Sequence, residues 1–173
     1  EESFKKSISL SDTNANAYVG LCNVLIQTHN YSECLKTSKQ ALQKVPKNAE
    51  IRNKQGICEW KWGEVKKATL SFQDASAWDP NFIEPKMNLA YVLIDSGRFD
   101  EALDVLKKAE SHPKAKKEDI RKAKVLAESQ KFIASGDTFL RQGKRKQAFD
   151  EYGKAMGVNP ENPAVQNAFG RGY

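Results

Sequence analysis

The chain has 173 residues, 29% charged and 39% hydrophobic, with 28 Lys and Arg against 22 Asp and Glu for a formal net charge of +6. That balance does not make disorder the default, and no window approaches the roughly 18 consecutive apolar residues of a membrane-spanning helix. Three cysteines and two histidines, widely scattered, do not make a zinc site, and no phosphate-cradling glycine loop, nucleophile elbow or nucleophile–His–carboxylate spacing occurs, so no metal, cofactor or catalytic centre is expected.

Along the chain, apolar and small residues recur at the three- and four-residue spacings of helices. Phe4, Ser7, Ile8 and Leu10 mark a short helix before Asp12. Tyr18, Leu21, Cys22 and Leu25 define one helical face, and Tyr31, Cys34, Ser38 and Ala41 a second, ending before Pro46. Arg52, Gln55, Gly56 and Glu59 then precede Val65, Ala68, Phe72 and Ala75, ending before Pro80, 34 residues beyond Pro46. Lys86, Leu89, Ala90 and Leu93 precede Phe99, Ala102, Leu106 and Ala109. Phe132, Ser135, Gly136 and Phe139 precede Arg145, Ala148, Tyr152 and Ala155, ending before Pro160. A last helix begins at Asn162-Pro163, a cap followed by a first-turn proline, and carries Phe169, Gly170 and Tyr173. Between the halves of each pair stand His29-Asn30, Gly63, Gly97 and Gly143, where a left-handed residue would end the first helix. A unit of this length cannot bury its own apolar face, so a stacked helical array is expected.

The period slips once. Twelve extra residues, Ala115 to Leu126, contain neither glycine nor proline and are rich in helix formers, which predicts one long helix from about Lys117 to Gln142. At 1.5 Å per residue the addition is worth about 18 Å, so this helix is expected to project beyond its neighbours.

Gly56, Gly63, Ala68, Phe72, Ala75 and Pro80, and again Gly136, Gly143, Ala148, Tyr152, Ala155 and Pro160, resemble the tetratricopeptide repeat pattern. Glu59, at the usual aromatic place, and Lys114, at the expected third proline, depart from it. The resemblance implies an all-α fold, a right-handed superhelical solenoid of antiparallel helix pairs with about four full repeats and a half-repeat at each end. Its expected divisions are 1–14 (second helix of a partial repeat), 15–48, 49–82, 83–116, 117–162 with the extended first helix, and 163–173 (first helix of a partial repeat), as in a fragment of a longer array.

The resemblance further implies a non-enzymatic scaffold that binds a protein or peptide, with no small-molecule substrate, in a concave groove lined by the first helices. The groove places fall on Asn16, Asn23 and Gln27, then Asn53, Lys54, Trp60 and Lys61, then Glu84, Met87, Asn88, Tyr91 and Asp95, then Gln130, Ile133, Asp137 and Arg141. Chaperone-binding relatives grip a terminal carboxylate with lysine, asparagine and arginine. Here those places hold Val19, Asn23, Lys54, Glu84 and Asn88, so a carboxylate-clamp partner is disfavoured.

Two features stand outside the pattern. Between Pro113 and Lys146 eleven basic residues face four acidic ones, and Lys116, Lys117, Arg121, Lys122, Lys124, Lys144, Arg145 and Lys146 form an expected basic patch. Such a patch suits an acidic protein, an anionic membrane or nucleic acid, the last disfavoured for want of stacking aromatics. Cys22 and Cys34 occupy the closest-packed places of one pair, where a disulfide is geometrically available, although two small buried side chains are the favoured reading of both. A cytoplasmic location is expected, with the cell envelope as the alternative.

Overall fold

In a computed structural model of the chain, residues 1–172 are described and form ten α-helices, with no strand among the described residues. These are α1 (Glu2–Leu10), α2 (Ala15–Gln27), α3 (Tyr31–Lys44), α4 (Ala49–Lys61), α5 (Val65–Trp78), α6 (Glu84–Asp95), α7 (Phe99–Glu110), α8 (Lys117–Arg141), α9 (Arg145–Val158) and α10 (Pro163–Gly172). Tyr173, expected on the last helical face, lies outside the described residues.

Local chemistry sets the helix ends. Asn14, Asn30 and Asn48 cap α2, α3 and α4, each side-chain oxygen accepting a backbone N–H of the first turn. Asn162 does the same for α10 through the amide of Ala164, 2.9 Å away. Gly63, Gly97 and Gly143 take positive φ values of 86°, 74° and 74° at the turns after α4, α6 and α8. At the equivalent turn after α2, His29 adopts φ 58° without glycine's freedom.

The chain divides into two compact units, Glu1–Val92 and Leu93 onward, and the division falls inside α6. In the first unit α2 packs on α1, α3 and α4, and α4 on α5. Its interior contains Tyr18, Val19, Ala41 and Ile51 in one cluster and Leu21, Cys22, Leu25, Cys34 and Cys58 in another. Gly56 lets α4 approach α5 closely, since a Cβ there would stand 2.7 Å from the Phe72 ring. Fully burying a side chain such as Phe72 or Ile51 contributes about 1.5–3 kcal/mol.

The second unit packs α8 against α7, α9 and α10. Ile133, Ala148, Tyr152, Ala155, Val165 and Ala168 form its core, with Phe149 and Phe169 against it. The Tyr152 ring lies over Gly136, as Phe72 lies over Gly56. Helix α8 runs for 25 residues, from the predicted start to one residue short of the predicted end. Its added turns do not stand free. Ile120, Ala123 and Ala127 are buried and Lys124 pairs with Glu110 of α7 at 2.6 Å, so the expected projection is replaced by a packed extension.

Candidate partner-binding surface

Helical periodicity gathers Asn16, Asn23 and Gln27 on one stripe of α2, Lys54, Trp60 and Lys61 on α4, and Glu84, Met87, Asn88 and Tyr91 on α6. Helices α2 and α4 pack directly, and Asn88 Nδ2 donates to Asn53 Oδ1 at 3.0 Å, joining α4 to α6. Within the first unit the three stripes therefore lie side by side. Asn23 is exposed, and Lys54, Trp60, Met87, Asn88 and Tyr91 are half-buried. Lys61 Nζ stands 4.9 Å from the centre of the Trp60 ring, a cation–π contact that fixes the indole.

Asn53 requires a correction. It is 2% exposed and its oxygen is held by Asn88, so it forms part of the helix contact and has no surface to offer a partner. An unpaired amide at that depth would cost about 1–3 kcal/mol.

Between α4 and α5 runs a polar chain that the sequence pattern did not anticipate. Asp74 accepts from Arg52 at 2.7 Å, Arg52 Nη1 donates to Gln55 Oε1 at 3.0 Å, and Gln55 Nε2 donates to Glu59 Oε1 at 2.8 Å. Ser71 Oγ donates to the other Glu59 oxygen at 2.5 Å. Gln55, Glu59 and Ser71 are buried, and the Arg52 guanidinium lies 5.9 Å from the Trp78 ring. Glu59 at an aromatic place was the visible signal, and its buried hydroxyl and carboxamide partners are the reason it is tolerated.

In the second unit Asp137 is engaged as well. It accepts the Tyr152 hydroxyl at 2.6 Å and the Arg171 guanidinium at 3.1 Å, tying α9 and α10 to α8. Burial, then the bond to Asp137, pushes the Tyr152 hydroxyl up to about 12. Arg141 is exposed and donates to Thr138 Oγ1 at 3.1 Å.

The expected basic patch separates into two clusters. Lys116, Lys117, Arg121, Lys122 and Lys124 belong to the start of α8, and Lys144, Arg145 and Lys146 to the start of α9, beyond the other end of a helix about 37 Å long at 1.5 Å per residue. The first cluster is partly neutralised, because Glu118 pairs with Arg121 at 2.8 Å and with Lys122 at 3.7 Å, and Glu110 holds Lys124.

Cysteine pairing also differs from expectation. The disulfide joins Cys34 of α3 to Cys58 of α4, with Cα atoms 6.3 Å apart, and Cys22 remains a free thiol. The bridge from Cys34 runs to the following helix pair and not to its own partner helix, a choice that spacing within one pair does not reveal. Burial pushes the Cys22 thiol up to about 12, which removes the thiolate needed for exchange. Among the described residues no three His, Cys, Asp or Glu side chains could hold a metal ion, and no helix is long and apolar enough to cross a membrane.

Paired helices stacked on small-residue contacts, with a half-exposed polar and aromatic face on α2, α4 and α6, define an all-α repeat scaffold. Residues 62–126 match the sequence model of the tetratricopeptide repeat family. The chain therefore carries that family's pattern over its middle and has the tetratricopeptide repeat fold, whose members generally mediate protein–protein interaction and are generally non-enzymatic. No curated protein matches its sequence. Among solved structures it is similar to YrrB, a TPR protein with an unusual peptide-binding site, at 20% identity and a TM-score of 0.63, covering 95% of this chain and 96% of that one. It is also similar to TTC0263, a thermophilic TPR protein of Thermus thermophilus, at 16% identity and a TM-score of 0.61 over 98% of this chain and 86% of that one. The TPR2B domain of yeast Sti1, in complex with pHsp70, aligns at 16% identity and a TM-score of 0.59 over 65% of this chain and 98% of the domain.

Proposed function

We propose that the chain is a non-enzymatic scaffold whose first unit holds an extended segment of a partner protein along the α2, α4 and α6 face. The observation that carries this reading is the set Lys54, Trp60, Met87, Asn88 and Tyr91, half-exposed on neighbouring helices that the Asn88–Asn53 hydrogen bond joins. Carboxamides both donate to and accept from a peptide backbone, and aromatic and thioether groups anchor its side chains. A carboxylate clamp has no support, because Val19 is buried and Glu84 presents a like charge. Docking of acidic proteins, membranes or nucleic acid through residues 114–146 has less support, since the cations nearest the extension are shared with Glu118 and Glu110. The buried Cys34–Cys58 bridge favours an oxidising compartment such as the cell envelope over the cytoplasm.

The test is quantitative capture of partner proteins by the intact chain and its variants. Tyr91→Ala and Lys54→Ala are expected to weaken capture about tenfold, equivalent to about 1.4 kcal/mol, with helix content unchanged. Charge reversal at Arg121 and Lys122 is expected to leave it unchanged. The opposite pattern would move the site to the α8 extension.

A further inference from the structure

We propose that the α4–α5 hairpin carries a second docking surface, built on Trp62, Lys66 and Leu70, that fits an acidic amphipathic segment of a partner protein. It uses different residues from the α2, α4 and α6 face and stands or falls separately from it.

Among the described residues the large apolar side chains left exposed are Leu10, Trp62 and Leu70, and two of these belong to this one hairpin, at 55% and 58% exposure. Single exposed apolar groups are ordinary, but a large pair with an aromatic member is the composition of an interface anchor. The backbone beneath them is fixed. The Trp62 amide bonds the Cys58 carbonyl at 2.9 Å, Gly63 turns the chain at φ 86°, and the Glu64 amide returns to the Glu59 carbonyl at 2.8 Å. Helix α5 starts at Val65, so Leu70 lies about 8 Å along its axis from the turn that bears Trp62. Lys66, Leu70, Gln73 and Ala77 form the outward stripe of α5, whereas Ala68, Phe72 and Ala75 face the core.

Charge selects the occupant. Lys67 is paired with Glu64 at 2.8 Å, but Lys66, on the stripe itself, has no carboxylate partner among the described residues. Of the carboxylates on the same hairpin, Glu59 is engaged with Gln55 and Ser71, and Asp74 with Arg52. With Lys66 between two apolar anchors in sequence and on the outward stripe, the surface complements apolar residues flanked by carboxylates. An anionic membrane is a poorer match, because a membrane-surface helix directs a broad apolar face outward and α5 directs its own inward.

The experiment measures anisotropy of a labelled, helix-forming peptide with leucines at i and i+4 among glutamates, titrated with the full chain at two salt concentrations. Binding that weakens with salt is expected, reduced about fivefold by Trp62→Ala or Leu70→Ser, about tenfold by Lys66→Glu, and unaffected by Tyr91→Ala. A twin peptide with lysine for glutamate is expected not to bind. Equal binding of the two peptides, no binding of either, or loss on Tyr91→Ala with Trp62→Ala silent would overturn the proposal. So would Trp62-dependent sedimentation with phosphatidylserine vesicles in place of peptide binding, or an effect of Trp62→Ala on self-association alone.

Discussion

Reducing the Cys34–Cys58 disulfide removes a covalent link between α3 and α4 without deleting a side chain, so its effect isolates the constraint. The two cysteines are separated by 24 residues. Loop-closure entropy for a loop of that size amounts to roughly 3.5 kcal/mol at 25 °C. With a urea dependence of about 2 kcal/mol per M, the unfolding midpoint of the first unit should fall by about 1.5–2 M on reduction. Tryptophan fluorescence reads this unit cleanly, because Trp60, Trp62 and Trp78 all lie within Glu1–Val92. Thiol titration in denaturant supplies the accompanying count: one reactive thiol in the oxidised chain, Cys22, and three after reduction. Coincident urea curves for the two forms, or three thiols without reductant, would refute the reasoning. A Cys22→Ala variant with two reactive thiols, where none is expected, would show that the native pair had been assigned to the wrong cysteines.

Two further outcomes concern packing and proton linkage. Gly56→Ala places a methyl group against the Phe72 ring and should cost about 1–3 kcal/mol, whereas Gly153→Ala, with nothing within 4 Å of the added Cβ, should add about 0.5–1 kcal/mol; urea unfolding compares them. Tyr152 has its hydroxyl raised from 10.0 to about 12 on folding, so its contribution is fully present below about pH 10 and is lost as pH rises towards 12. Thermal unfolding between these pH values should show that loss, and Tyr152→Phe, which removes the bond to Asp137, should flatten the dependence.

The helices were legible because their signals are local. Small residues at Gly56, Ala68, Gly136 and Ala148, and left-handed turns at Gly63, Gly97 and Gly143, each reflect a steric demand that a sequence displays directly. The long α8 was readable from twelve residues without a helix breaker, but its burial was not, because Ile120, Ala123 and Ala127 look equally apolar on a free helix and a packed one. The candidate stripe on α2, α4 and α6 was readable as a register and not as a surface. Asn53 and Asn88 are identical in type and alike in position, and only their mutual hydrogen bond shows that Asn53 is covered. Likewise Asp137 has the appearance of a groove residue until Tyr152 and Arg171, 15 and 34 residues away, are brought to it. Pairings at such separations depend on three-dimensional packing, on which residue type and spacing are silent.

The position of the disulfide also bears on how the chain reaches its native state. Three cysteines allow three single bridges, and an unfolded chain closes the twelve-residue span from Cys22 to Cys34 more readily than the span of 24 from Cys34 to Cys58. Doubling the span costs about 0.6 kcal/mol, a bias of nearly threefold towards the wrong pair. Oxidation that runs ahead of folding would therefore trap the chain with Cys58 unpaired. Once α2 has buried Cys22, its thiol is withdrawn from competition and the correct bridge is the one left open, so the order of the two events decides how much chain matures correctly.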